Sequence, residues 1–405
     1  MPPSENRLRD WAGLGDGLAG TIADRVLAHD VADYLRFRAA CGPWRRCCAD
    51  PRAHGGLDRR FHPRRWLMLR EPRERIDAPN RRRFLNSSTG ECIQVHLPEL
   101  HNQEVLALTA EGLLVVLDWP RSTKVHLLNP LTRHLTQLPP LTALVSHQGN
   151  DGLLFTAAFD THFPAWGSGV LSDDSTVVLS FNRLNMLGMA KPGDDHWTVL
   201  NFHNLLRTAS SMIAGRFYCA TIDGVMVLED QPPRLELAAK LPMPVSPMAD
   251  TLHLMDSAGE LTLVHRRFSR HHDNNNAAKR RYDVYRLDLG AGTLCRANSF
   301  GGGGHALFIG MYCSLSVPIK AFPSGAIRGD TVYLSFDIAE RNRTEGYRLA
   351  DRSAISSDSL SSHSALQPHN LVDCLSLCST GWTLGSKMYV WLINQSVALI
   401  KNKTK

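Results

Sequence analysis

Four places in the 405-residue chain gather side chains of the kind that do chemistry. Gly301-Gly302-Gly303-Gly304 could let backbone amides close around a phosphate. It lacks the Gly-Lys-Ser/Thr that supplies charge and a magnesium contact, and no helix pattern follows, so it reads as a floppy β-turn. Asp194-Asp195-His196 has the residue types of a metal or acid/base cluster, but beside Pro192-Gly193 at the entry to an apolar run it reads as an exposed turn. His271-His272, the asparagines 274–276 and Lys279-Arg280-Arg281 suggest a metal or nucleic-acid patch. The residues flanking them alternate as strands do, which fits the tip of a long polar hairpin better. The closest cysteines, Cys47-Cys48 and Cys374 with Cys378, lack a second ligand pair at zinc spacing. Neither a Gly-x-Ser-x-Gly elbow nor a His-Glu-x-x-His pair occurs. No catalytic residue, metal or cofactor is expected, and function has to be sought in surfaces.

Composition narrows those surfaces. The chain is 43% hydrophobic, enough for a sizeable core. Its net charge of +6 is uneven: up to Arg83 there are eighteen arginines, no lysine and eleven carboxylates, while the remainder is near neutral. Such a head could face an acidic partner or nucleic acid. Many of its arginines stand beside an acid, as Arg36 does near Asp33, so solvated helix faces explain most of the excess and nucleic acid is not the expected partner. Nine cysteines with no Cys-x-x-Cys pair point to reduced thiols. MPPSENRLRDW has no apolar core of a secretory signal, and no run reaches the ~18 apolar residues of a membrane span. A soluble protein of the cytoplasm or nucleus is expected.

The elements that must carry any surface are of two kinds. Leu14, Leu18, Ile22, Val26 and Leu27 recur at a helical period. Asp30 can cap a second helix carrying Val31, Tyr34, Leu35 and Arg38, Gly42-Pro43 breaks it, and Trp44 opens a third short turn. Three short helices over 8–52 make a core too small to be stable without docking on something. A basic, proline-containing connector spans 53–83, within which Trp66-Leu67-Met68-Leu69 already looks like a buried strand.

From there the chain reads as short strands. Leu85-Asn86-Ser87-Ser88-Thr89-Gly90 precedes Val95-His96-Leu97-Pro98, and Leu128-Asn129-Pro130-Leu131-Thr132-Arg133 precedes Gln137-Leu138-Pro139. The two polar turns lie 43 residues apart. A period of ~40–50 residues of short strands is that of a β-propeller blade. Apolar runs at 152–159 and 176–181, hairpins around Asp223-Gly224 and 257–260, and strands at 280–289, 306–309 and 331–336 extend the series, enough for five to seven four-stranded sheets over 66–350. Residues 351–367 are serine-rich and read as a linker. Residues 368–405 are apolar again, with Tyr389-Val390-Trp391-Leu392-Ile393 as a strand that either closes the ring or ends a tail.

Two resemblances attach to these residues. Leu14, Leu18, Ile22, Leu27 and Asp30, followed by Phe37-Arg38-Ala39-Ala40-Cys41-Gly42-Pro43-Trp44-Arg45, resemble an F-box, with Gly15 standing where that family has proline. Ser299 to Gly310, Cys313 to Pro318 and Gly329 to Ser335, together with Asp195-His196-Trp197-Thr198 and Gly215-Arg216-Phe217-Tyr218, resemble the KIB-type domain of unknown function that follows an F-box in many plant proteins. The resemblances imply a small all-α, three-helix head followed by a mainly-β domain, a β-propeller. They imply docking on a Skp-type adaptor, and through it on a cullin, by Leu14, Leu18, Ile22, Leu27, Leu35, Arg38, Cys41 and Trp44. They further imply capture of an unknown protein target by the propeller, with no membrane partner, within a ubiquitin ligase. Two alternatives stay open: a binding regulator whose F-box has degenerated, which Gly15 favours, and a propeller hydrolase, which needs acids or histidines converging on the central channel.

Overall fold

The structure is a computed structural model. It describes residues 11–53, 57–69, 80–101, 103–118, 122–141, 167–171, 175–181, 186–201, 210–246, 250–269, 279–310, 313–334, 345–355 and 371–379. Among these, a head of three helices, α1 (Asp16–His29), α2 (Val31–Ala40) and α3 (Gly42–Cys47), precedes a six-bladed β-propeller. The apolar run at 152–159, the polar tip at 271–278 and the strand expected at 389–393 lie outside the described residues.

Blade one has β1 (Trp66–Met68), β2 (Arg81–Asn86) and β3 (Cys92–His96). Blades two to five are four-stranded antiparallel meanders. They comprise β4 (Glu104–Leu108) to β7 (His134–Leu138), β8 (Gly167–Val170) to β11 (Thr198–Asn201), β12 (Ser211–Ile213) to β15 (Pro233–Lys240), and β16 (Thr251–Ser257) to β19 (Thr293–Arg296). The first strand of each packs beside the first strand of the next, so β4, β8, β12 and β16 line the ring's inner wall. Blade six departs from this plan. β20 (His305–Ile309) pairs antiparallel with β21 (Ser314–Pro318) and parallel with β22 (Thr331–Leu334), followed by β23 (Glu345–Arg348) and β24 (Ser353–Ile355). β24 lies within the serine-rich stretch expected to be a linker, so the last sheet runs to Ile355.

Strands buried on both faces explain why the apolar runs are continuous rather than alternating. In β5 (Leu114–Leu117), Leu114 and Val116 pack toward blade one with Trp66, Met68, Phe84 and Leu128, whereas Val115 and Leu117 pack toward blade three with Val177, Leu179 and Phe181. The same division repeats around the ring, one apolar core per gap between blades. A C-terminal helix, α4 (Leu371–Ser379), wedges Leu375 and Cys378 between Leu69 and Leu85 of blade one and Ala306, Phe308 and Val317 of blade six. The Cys378 thiol donates to the Met68 carbonyl at 3.5 Å.

The repeat legible in the sequence is the same turn built twice. The Asn86 side-chain oxygen accepts from the N–H groups of Ser88 (2.9 Å) and Thr89 (3.3 Å), and that of Asn129 from Leu131 (3.1 Å) and Thr132 (3.2 Å). Each caps the last hairpin of its blade as an Asx turn. Both turns face the head.

Candidate docking surface

The head closes around Ala23, Leu27, Val31, Tyr34, Cys48 and Phe61. Asp30 ends one helix and starts the next: its Oδ1 accepts from the N–H groups of Ala32 (2.7 Å) and Asp33 (3.3 Å), meeting donors that the first turn of α2 leaves unpaired. The Tyr34 hydroxyl donates to the Ala49 carbonyl at 2.7 Å, and burial holds that phenol up at about 12. Arg38 donates to the carbonyls of Cys48 (2.9 Å) and Ala49 (3.0 Å) and pairs with Asp50 at 3.3 Å, tying α2 to the chain leaving α3.

A second set of contacts fixes the head to the propeller. The other Asp30 oxygen accepts from Trp66 Nε1 and Asn86 Nδ2, both at 3.0 Å. Ala32 enters the core of Trp66, Met68 and Phe84. Arg36 bridges Asp33 and Glu91, Arg52 Nε donates to the Thr132 carbonyl at 3.2 Å, and Asn129 Nδ2 donates to the Phe61 carbonyl at 2.9 Å. One carboxylate thus caps a helix and anchors a domain.

Large apolar side chains also remain uncovered. Leu18 is 60% exposed and Ile22 37%; four residues apart, they share one face of α1. Trp11 is 58% exposed, and its carbonyl accepts from Trp44 Nε1 at 2.9 Å, which holds the N-terminal approach against α3. The Trp44 ring stacks on Phe37, centroids 4.4 Å apart and planes at 14°. Leu18 and Ile22 thus give α1 an exposed apolar face.

The eight residues expected at the adaptor interface therefore divide. Leu18 and Ile22 are presented, while Leu14 is half-buried just before α1. Leu27, only 7% exposed, belongs to the head core, and Leu35 packs half-buried against it. Arg38 is a structural tie, Cys41 caps the α2–α3 junction, and Trp44 is half-buried in its stack. Ile22, which could equally have been core, is outside it because α1 turns inward the adjacent face carrying Ala19, Ala23 and Leu27. Trp11 and Phe37 complete the surface; the aromatic–Cys–Trp spacing was the signal for Phe37.

Gly15 lies at the cap of α1 with φ +82°, a conformation proline cannot adopt and other side chains rarely do, so glycine permits this entry to the helix.

The chemically suggestive clusters resolve differently. Gly301, Gly302 and Gly303 have φ of 52°, 67° and 88° and form a short turn. The Phe300 N–H donates to Asp330 Oδ1 at 2.7 Å, the Asp330 N–H donates to the His305 carbonyl at 2.9 Å, and a Cβ on Gly301 would lie 2.3 Å from the His305 ring. Asp194 accepts from the Lys191 N–H at 2.7 Å in an exposed turn, as expected. Blade five holds a buried pair with no sequence signal: His265 Nε2 lies 3.2 Å from Asp250 Oδ2, and burial pushes the imidazole below its ordinary range. Among the described residues no three His, Cys, Asp or Glu side chains are placed to hold a metal ion.

Comparison with known proteins adds a family. The model of the KIB1-4 β-propeller matches residues 84–359. No curated protein matches. Among solved structures, the chain is similar to a streptogramin B lyase at 10% identity, over 67% of this chain and 87% of that one, with a TM-score of 0.29. It is also similar to YCF48 from Cyanidioschyzon merolae (16%, 54% and 66%, TM-score 0.29) and to virginiamycin B lyase from Staphylococcus aureus (9%, 56% and 86%, TM-score 0.28).

Proposed function

This chain belongs to the KIB1-4 β-propeller family, and on that premise we propose that it recruits targets to an SCF-type ubiquitin ligase, its three-helix head acting as an F-box. The observation that carries this reading is the pairing of Leu18 and Ile22, exposed on one face of α1, in a head whose other large apolar side chains, Trp11 aside, are packed or half-packed. Covering that face with a Skp-type adaptor removes apolar area from water at about 25 cal/mol per Å². The adaptor bridges to a cullin, and the propeller holds the target. The chain itself does no bond chemistry; it raises the local concentration of target lysines near the conjugating enzyme. A head tied to blade one through Asp30, Trp66 and Asn86 supports this role, because it gives a bound target one fixed distance from the adaptor. The cytoplasm and nucleus are where such a ligase works.

The direct test is co-purification with the adaptor and cullin. The wild-type chain is expected to be retained and Leu18→Asp lost. Failure to retain the wild type, or equal retention of both, overturns the assignment. The first of those outcomes would favour a regulator outside the ligase, the reading to which the glycine cap at Gly15, in place of the family's proline, already lends weight.

A further inference from the structure

Blade five carries a group of arginines that neither the head nor the apolar cores between blades use. Its middle strands are β17 (Glu260–Ser269) and β18 (Lys279–Asp288). In their register Leu263 stands opposite Tyr285, His265 opposite Asp283 and Arg267 opposite Arg281, so these six side chains share one face. Arg296 of β19 pairs with Tyr285 and joins them. Leu263 and Tyr285 belong to the core shared with blade four, which makes this the face toward blade four. Along the two strands the apolar pair gives way to charge, ending at Arg281, the last residue of the basic triplet in the sequence.

Positive charge is in excess there. Asp283, a buried carboxylate, takes Arg296 on Oδ1 at 2.8 Å and Arg267 on Oδ2. Arg281, exposed, stands two residues before Asp283 on the same side of β18 and directly across from Arg267. Like charges opposed in this way cost an antiparallel pair stability. The other carboxylate nearby, Asp250, is turned to His265 Nε2 at 3.2 Å and to the Ser246 N–H at 3.0 Å. One negative charge thus answers three positive ones. Donors are in excess as well. Arg267 Nη1 donates at 3.6 Å to the sulfur of Met243, a weak acceptor on the chain between blades four and five. Its Nε is buried with no hydrogen-bond partner among the described residues, and about half of the Arg296 side chain is open to water.

Topology puts the cluster on the side of the ring away from the head. The blades repeat radially, so their last hairpin turns all stand at one end of the ring. In blades one and two those turns, at Asn86 and Asn129, bond to Asp30 and to the Phe61 carbonyl. The last turn of blade five, between β18 and β19, belongs to the same end, and the Arg267–Arg281 pair lies toward the opposite end of β17 and β18. A ligand bound there leaves the exposed face of α1 free.

We infer that this cluster is the propeller's recognition site for a phosphorylated serine or threonine on an extended segment of the protein target, held by Arg267, Arg281 and Arg296. A phosphate monoester brings three outer oxygens and a charge of about −1.5 to −2 at pH 7, which answers the excess of charge and donors better than a single carboxylate does. The arginines form one compact spot rather than a stripe, which suits one phosphate and not a nucleic-acid backbone. The inference rests on the receptor reading for what the target is, but the phosphate site is testable by itself. The probe is a fluorescein-labelled pool of dodecapeptides with one central phosphoserine and mixed flanking residues; matched pools carry serine or glutamate at the centre. Anisotropy with the full chain is expected to show binding of the phosphoserine pool, weakening as salt rises, with the glutamate pool weaker by roughly tenfold. Arg281→Glu is expected to weaken binding roughly ten- to a hundredfold. That variant sets opposite charges where like charges faced each other, so its melting temperature is expected to hold or rise, which misfolding does not produce. Arg296→Gln, with Arg267 left to pair Asp283, is expected to weaken binding by a similar factor. Equal binding of the phosphoserine pool and either matched pool, or binding indifferent to both variants, overturns the proposal. So does a single-stranded dodecanucleotide that binds as tightly and is lost in Arg281→Glu, or inorganic phosphate that displaces the pool as effectively as unlabelled phosphopeptide. Leu18→Asp is expected to leave peptide binding intact and Arg281→Glu to leave adaptor capture intact, so failure of adaptor docking and failure of this site read out separately.

Discussion

On the side of the three-helix head that meets the propeller, directed polar contacts make the tie. Asp30 caps α2 with one oxygen and takes Trp66 and Asn86 with the other, Arg36 reaches Glu91, and Arg52 and Asn129 bond across to backbone carbonyls. On the side turned away, Leu18 and Ile22 meet water. The polar contacts come from the α1–α2 junction, α2 and the chain after α3, and the apolar pair from α1. The polar side works by geometry, because each bond has a fixed direction and a misplaced donor is left unpaired. The apolar side works by area and tolerates any partner of matching shape.

Mutations that separate the two sides sharpen the comparison, and the largest effect is expected within the head core. Leu27→Ala should cost about 2–4 kcal/mol, seen as a lower denaturation midpoint. Leu18→Asp on the other side of α1 should move that midpoint by no more than about 0.5 kcal/mol while abolishing adaptor capture. Equal stability losses would mean that Leu18 is core after all.

At the junction, Asp30→Ala removes a cap and strands two donors, a loss of about 2–3 kcal/mol. Because the tie to blade one goes with it, tryptic cleavage at Arg59 to Arg65 should quicken. An unchanged cleavage rate would mean that Asp30 does not hold the two parts together.

Acid should cost stability as well. His62, on the segment that follows the head, is buried, and desolvation pushes its imidazole down to about 4. The unfolded chain binds a proton near pH 6.5 and the folded one does not. Stability is therefore full above pH 6.5 and is shed as pH falls from 6.5 toward 4, by up to about 3 kcal/mol. His62→Phe should flatten that slope in a pH series of melts.

The smallest effect sits at the entry to α1. Gly15→Pro cannot reach φ +82° and should cost roughly 1–3 kcal/mol, read as lost helical circular dichroism and weaker adaptor binding. A gain on restoring the proline usual in F-boxes would show that the entry is not held in this conformation.

Much of this was legible in the chain. The helical spacing from Leu14 to Leu27, the cap at Asp30 and the break at Gly42-Pro43 depend on interactions within a few residues, and the helices stand where those signals put them. The Asn86 and Asn129 turns are equally local, each side chain bonding the backbone two and three residues ahead. The continuous apolar run at 176–181 announced a strand, and Val177 to Phe181 are buried throughout.

What sequence could not decide was always a question of what lies opposite. A 3.6-residue period marks Leu18, Ile22 and Leu27 as one stripe, but only the packing of α2 and α3 buries Leu27 and leaves Leu18 and Ile22 outside. The count of six blades, the parallel pairing of β20 with β22, and the wedge of α4 between first and last blades rest on partners far apart in the chain. So does the second oxygen of Asp30: its bond to the helix start was readable three residues away, and its bonds to Trp66 and Asn86 span 36 and 56 residues. Local patterns record which groups need a partner, and folding in three dimensions chooses it.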